Sequence, residues 1–187
     1  FIETGTVRYG WLGVSIRSVT DELAASLGLP DDQGALVHHV FLDSPADDGG
    51  LLPGDFVRVI NGITVEDSDE LVLEVGELPV DQEATFEIIR SGEEMTIDVR
   101  IGERESESAI ANLNARLWPG FSVFPLTDEL RQDIELDPAQ DGVLVSTVEN
   151  RTPGAAAGLR VGDVLTAING TVTPELLDFY RELNNAG

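Results

Sequence analysis

The sequence predicts an α+β protein, mostly β with a few helices, built as two copies of one unit. Three observations predict it. First, residues 34–65, GALVHHVFLDSPADDGGLLPGDFVRVINGITV, align without a gap with residues 142–173, GVLVSTVENRTPGAAAGLRVGDVLTAINGTVT, at an offset of 108. Gly34, Leu36, Val37, Val40, Pro45, Gly50, Leu51, Gly54, Asp55, Ile60, Asn61 and Gly62 recur in register in the second copy. Second, each copy carries Asn-Gly between apolar runs, the strongest short-range hairpin signal. Third, residues 83–101, EATFEIIRSGEEMTIDVRI, alternate apolar and polar around Ser-Gly, as a half-buried hairpin does.

The elements of one unit follow in order. Val14 to Val19 reads as a short strand after a glycine turn. TDELAASLGL opens on Thr20 as a helix N-cap, with Asp21 and Glu22 in the first turn, where the helix dipole favours acids. Gly34 to Val40 is a strand. Ser44-Pro45 starts a helix, with proline at its first position, that stops at Gly50. DFVRVINGITV is strand, turn, strand, and SDELVLEVGEL is a helix with Ser68 as its expected cap. The polar run GERESESAIANLNAR, residues 102–116, reads as a linker. The first unit therefore occupies 1–101 and the second 117–187, and the second is expected to lack a counterpart of the 83–101 hairpin and to be the less stable. The opening loops also repeat: YGWLGVSI and LWPGFSV pair Trp11 with Trp118, Gly13 with Gly120 and Ser15 with Ser122, at an offset of 107.

Composition narrows the function. Across 187 residues, 35 acids face 11 bases, all of them arginine, for a net charge of −24. Such a surface repels phosphate backbones and anionic lipid, which argues against nucleic acid or a membrane surface as partner. It fits a salt-rich habitat or simply an acidic soluble surface. With no cysteine there is no disulfide framework and no thiolate chemistry. No run of 18 apolar residues is present, so no membrane insertion is expected of this segment. No cofactor or metal is expected. The adjacent His38 and His39 should face opposite sides of a strand, one core and one surface. The Asp31–Asp32 and Asp47–Asp48 pairs lack the oxygen-ligand spacing of a calcium loop.

An edge strand beside a helix is a dock for an extended peptide, which adds as a further strand and drops side chains into the gap. A ligand that ends there needs donors for its carboxylate. A glycine loop before the strand can supply them as a nest of backbone N–H groups, here Leu12, Gly13 and Val14. Leu12, Val14 and Ile16, with Leu71, Val75 and Leu78 on the helix, would form the apolar pocket. Arg8 either helps hold the carboxylate or is solvated. Trp11 either flanks the loop or anchors the core. In the second copy Trp118, Gly120, Phe121, Ser122 and Val123 take the equivalent places, but Pro119 replaces Leu12 and has no N–H to give. A structural or oligomer-contact role is therefore expected of the second unit.

WLGV resembles the Gly-Leu-Gly-Phe carboxylate loop of PDZ domains, and SPADDGGLLPGDFVRVING and TPGAAAGLRVGDVLTAING resemble the PDZ core signature in both units. The element order is similar to the permuted bacterial form, which implies two small, partly open β-barrels with two or three helices each. FIETGTVRYGWLGVSI is similar to the protease–PDZ junction of HtrA/Deg-type serine proteases, with residues 1–8 as its linker. That resemblance implies an oligomeric, periplasmic or extracytoplasmic protease and chaperone. Its PDZ tandem would bind C-termini or unfolded segments and control proteolysis or assembly beside the protease domain. This chain itself is expected not to be an enzyme: it has no Gly-Asn-Ser-Gly-Gly nucleophile loop, and its only two histidines are neighbours. Two other readings stay open, a PDZ pair from an intramembrane metalloprotease and a non-enzymatic scaffold.

Overall fold

The computed structural model of the chain describes residues 9–104 and 113–186. Its first unit follows the expected order with few departures. A two-residue strand β1 (Gly10–Trp11) leads through the glycine loop into β2 (Val14–Arg17). Helix α1 (Asp21–Ser26) starts where Thr20 accepts the Leu23 N–H, as the sequence requires. Strand β3 (Ala35–Phe41) is buried along nearly its whole length. The one-turn helix α2 (Pro45–Asp48) is capped by Ser44. Strands β4 (Phe56–Ile60) and β5 (Ile63–Thr64) flank Asn61 and Gly62, whose φ values of 51° and 81° are those the tight hairpin turn demands. Helix α3 (Ser68–Glu77) is capped by Asp67, which accepts the Glu70 N–H; the expected cap Ser68 is its first helical residue and instead meets Ser18 Oγ at 2.9 Å. The hairpin β6 (Glu83–Arg90) and β7 (Glu93–Arg100) turns on Ser91 and Gly92, both at positive φ.

The sheet runs β2–β3–β4–β6–β7, all antiparallel, so β2 lies at its edge. The sheets are open and do not close into barrels. One core packs Leu12, Val37, Val57, Ile60, Leu71 and Phe86 between the sheet and α3. Behind it, Asp55 is fully buried and held by Arg90, whose Nε and Nη2 donate to its two carboxylate oxygens at 2.6 Å each. Leu52 N–H adds a third bond to Asp55, at 2.8 Å. Burial still raises the Asp55 pKa, with Arg90 acting against it.

At the described ends of 102–116 the chain is structured. Strand β8 (Gly102–Glu103) pairs with β1, placing Gly10 opposite Glu103 and Trp11 opposite Gly102. Leu113–Arg116 forms a 3-10 turn, and the rest of the expected linker lies outside the described residues. Strand β9 (Leu117–Trp118) then pairs with the first unit's β3, Val40 opposite Trp118. The second unit continues with β10 (Phe121–Pro125), α4 (Asp128–Asp133), β11 (Val143–Val148), α5 (Pro153–Ala156), β12 (Val164–Leu165), β13 (Ala167–Ile168), β14 (Thr171–Val172) and α6 (Leu176–Asn185). Its sheet is β10–β11–β12, with β13–β14 as a separate ribbon. The second core joins both units, bringing Leu23, Leu27, Leu36 and Phe56 together with Phe121, Val123, Phe179 and Leu183.

The histidines do not split between core and surface as the strand period predicts. Pairing of β2 with β3 slips between Ser15 and Ile16, so His38 is the extra residue of a bulge. Both rings then lie on one side, 4.5 Å apart, with His39 only 2% exposed. Burial lowers His38 to about 3, helped by the His39 and Arg17 charges. Burial also lowers His39 to about 4, opposed by a hydrogen bond to the Phe121 backbone.

Candidate peptide-binding groove

A groove of about 500 Å³ runs between the edge of β2 and α3. The loop at its end is shaped by its carbonyls. Leu12 O accepts from Ala46 N–H at 2.8 Å, and Gly13 O accepts from Phe41 N–H at 2.9 Å and from Ser44 Oγ at 3.3 Å. In a trans peptide the N–H points opposite to its own carbonyl. With these carbonyls turned toward α2 and β3, the Gly13 and Val14 N–H groups are directed away from them, toward the groove. Gly13 sits at φ +82°, and a Cβ there would meet Ser44 Cβ, Ser44 Oγ at 2.7 Å and the Trp11 ring at 3.0 Å. Glycine is therefore required by the loop's own packing, whatever approaches from outside.

Trp11, Leu12, Gly13, Val14, Ile16, Leu71 and Val75 all line the groove. Two expected residues do not. Ser15 alternates to the other face and pairs opposite His39, and Leu78 packs on the core. Arg8 lies outside the described residues. Trp11 also stacks obliquely on Phe41, ring centres 6.2 Å apart, so it serves loop and core together. The structure adds Tyr9, Val72, Gly76, Glu77 and Arg104 to the lining. Arg104 donates its backbone N–H to Tyr9 O at 3.0 Å, which brings this cation to the loop end of the groove. It was missed because its neighbours read as linker, and the β1–β8 pairing that returns it is long-range. Gly10 lets β1 approach α3: a Cβ there would run into Val75 O.

The second unit reproduces the loop but not the opening. Pro119 O accepts from Gly154 N–H at 3.1 Å and Gly120 O from Glu149 N–H at 2.8 Å, as Leu12 and Gly13 do in the first copy. Gly120 is at φ +79° and faces Thr152 where Gly13 faces Ser44. Trp118 is half-buried on β3, whereas Phe121, Ser122 and Val123 are all buried. Among the described residues no cluster of three or more His, Asp or Glu could hold a metal, and no helix is long and apolar enough to cross a membrane.

An edge strand facing a helix, entered through a glycine loop and repeated in tandem, defines a PDZ architecture. The chain belongs to the PDZ domain family: one PDZ-domain model matches residues 10–101 and a second matches residues 144–186. The chain is 35% identical over 186 residues to the probable periplasmic serine endoprotease DegP-like of Hahella chejuensis, covering 96% of this chain and 39% of that protein. The DegP-like protein of Marinomonas sp. is 34% identical over 95% of this chain and 37% of its own length. The chain thus spans about two fifths of the curated relatives it matches. Among solved structures, HtrA-type protease AlgW with decapeptide aligns at a TM-score of 0.51 and 36% identity over 56% of this chain and 32% of that one. The same protease with tripeptide gives a TM-score of 0.51 over 57% and 36%. The kinship with DegP-like proteins named as periplasmic supports a periplasmic or extracytoplasmic location.

Proposed function

We propose that the first unit binds apolar C-termini, or exposed unfolded segments, of other proteins by strand addition to β2. Within the whole protein, binding would control a serine endoprotease domain or its oligomeric assembly. The observation that carries this reading is the open groove between α3 and the outer edge of β2, which pairs with no other strand than β3 among the described residues, entered through a loop that turns its N–H groups inward. Val14 and Ile16 on β2 and Leu71 and Val75 on α3 supply the apolar walls. Arg104 supplies a cation near the carboxylate, in a protein whose net charge of −24 otherwise opposes an anion. The kinship to an HtrA-type protease solved with peptides supports the same role. Proteolysis itself belongs, in this reading, to a part of the protein other than these two units.

Calorimetry with one apolar peptide, as free acid and as C-terminal amide, tests the proposal. Loss of a charge-assisted bond of about 1.5–3 kcal/mol predicts at least roughly ten-fold weaker binding of the amide. Equal affinities would overturn carboxylate recognition.

A further inference from the structure

We propose that the groove of the second unit is a docking site whose ligand is helix α1 of the first unit, so that this groove is filled from within the chain. The walls of the two grooves match residue by residue. Val14 and Ile16 correspond to Phe121 and Val123, and Leu71, Val72 and Val75 to Phe179, Tyr180 and Leu183. Each second-unit wall residue is buried, and the contrast is sharpest on the helix rim, where Val72 is 57% exposed and Tyr180 4%. These walls share their core with α1 and its flanking residues, and with Leu36, Phe56 and Ile89 of the first unit's sheet, while Gly54 backs the Tyr180 ring. Val19, Leu23, Ala24 and Leu27 share one core with the second groove's walls.

The helix that docks is built for it, and its own counterpart is not. Leu23, Ala24 and Leu27 correspond to Leu130, Arg131 and Ile134 at the offset of 107. Leu27 is 3% exposed and Ile134 41%, and α4 has no buried residue at all. One position in two copies of a fold therefore differs because one copy has a receptor. Polar contacts fix the seat at both ends. Arg17, the last residue of β2, donates to Val123 O at 3.4 Å and lies 4.7 Å over the Phe124 ring. Asn184 Nδ2 donates to Pro53 O at 2.9 Å. At Gly54, φ +95°, a Cβ would meet the Tyr180 ring at 2.6 Å, so the glycine admits the ring. Burying large apolar residues in this way excludes a peptide from the second groove for as long as the seat is occupied.

The chain contains no cysteine, so a single spin label can be attached at Ala25→Cys on the exposed side of α1. Ala25 shares a surface cavity with Leu126, Gly142 and Leu176 of the second unit. The expected result is paramagnetic broadening of those three amides within one chain. It should be absent from a mixture of spin-labelled chain with separate isotope-labelled chain. Broadening only in the mixture would overturn docking within the chain and make the ligand a second copy. Tyr180→Glu places a charge in the seat at a position whose first-unit match is solvent-facing. It is expected to abolish the broadening, raise the radius of gyration and leave both units' amide dispersion intact. Leu27→Glu should do the same from the other wall. Persistent broadening in both variants, or none in the parent, would overturn the proposal.

Discussion

Gly13 provides the sharpest physical test of the loop. At φ +82° an L-residue costs about 1–2 kcal/mol. A new Cβ would also overlap Ser44, whose Oγ it would approach to 2.7 Å, and overpacking adds roughly 1–3 kcal/mol. Gly13→Ala should therefore destabilise the first unit by about 2–5 kcal/mol. It should weaken apolar C-terminal peptides at least about ten-fold, because the same peptide planes aim the N–H groups. Ser44→Gly removes both overlapping atoms. It costs a few tenths of a kcal/mol as an N-cap change to glycine, plus about 0.5–1.5 kcal/mol for the lost bond to Gly13 O, a cost the Ser44→Gly single variant measures separately. The double variant should thus recover the steric share, giving a favourable coupling of about 1–3 kcal/mol and leaving the backbone share. Urea unfolding followed by tryptophan fluorescence measures the cycle. Additive costs, with coupling under about 0.5 kcal/mol, would refute the claim that Ser44 packing rather than ligand approach demands glycine.

Two further outcomes follow from buried charge. Arg90→Met leaves the Asp55 carboxylate buried without its cation and should cost about 3–5 kcal/mol. Adding Asp55→Asn should restore much of that in the same urea assay, and no recovery would show that the ion pair is not the cause. Stability should also fall in acid. His39 is held at about 4 in the folded chain against about 6.5 unfolded, so below pH 6.5 only the unfolded chain takes up the proton. The loss grows to roughly 3 kcal/mol by pH 4, at 1.36 kcal/mol per pH unit. His38, held at about 3, adds a similar loss, so His39→Gln should cut the slope of urea midpoint against pH between 6 and 4 by about half, and an unchanged slope would contradict the assignment.

The repeat, the caps at Thr20 and Ser44, the Asn61-Gly62 hairpin and the 83–101 hairpin were legible in the sequence because each rests on local rules: a side chain reaching its own helix start, a positive φ, a period of two. Most of the groove's lining was legible for the same reason, since Trp11 to Val14 and Ile16 follow one another through the glycine loop into β2, and Leu71 and Val75 share one helix. What escaped was long-range or aperiodic. The bulge at His38 breaks the alternation that placed the two rings apart. Arg104 enters through a strand pair spanning the whole first unit. Pro119 marked the loss of a carboxylate donor in the second copy but not the filling of its groove, although the bulkier Phe121, Phe179 and Tyr180 were already in the sequence. Those side chains announce burial but not the element that covers them, and α1 comes from about a hundred residues earlier.

The most direct measurement of the central claim is an NMR titration of the tandem with a free-acid apolar peptide. The account predicts shifts at Leu12 to Val14, Ile16, Leu71, Val72 and Val75, with Phe121 to Val123 and Phe179 to Leu183 unmoved. Shifts at the second set that saturate at the same peptide concentration, or none at the first, would contradict it.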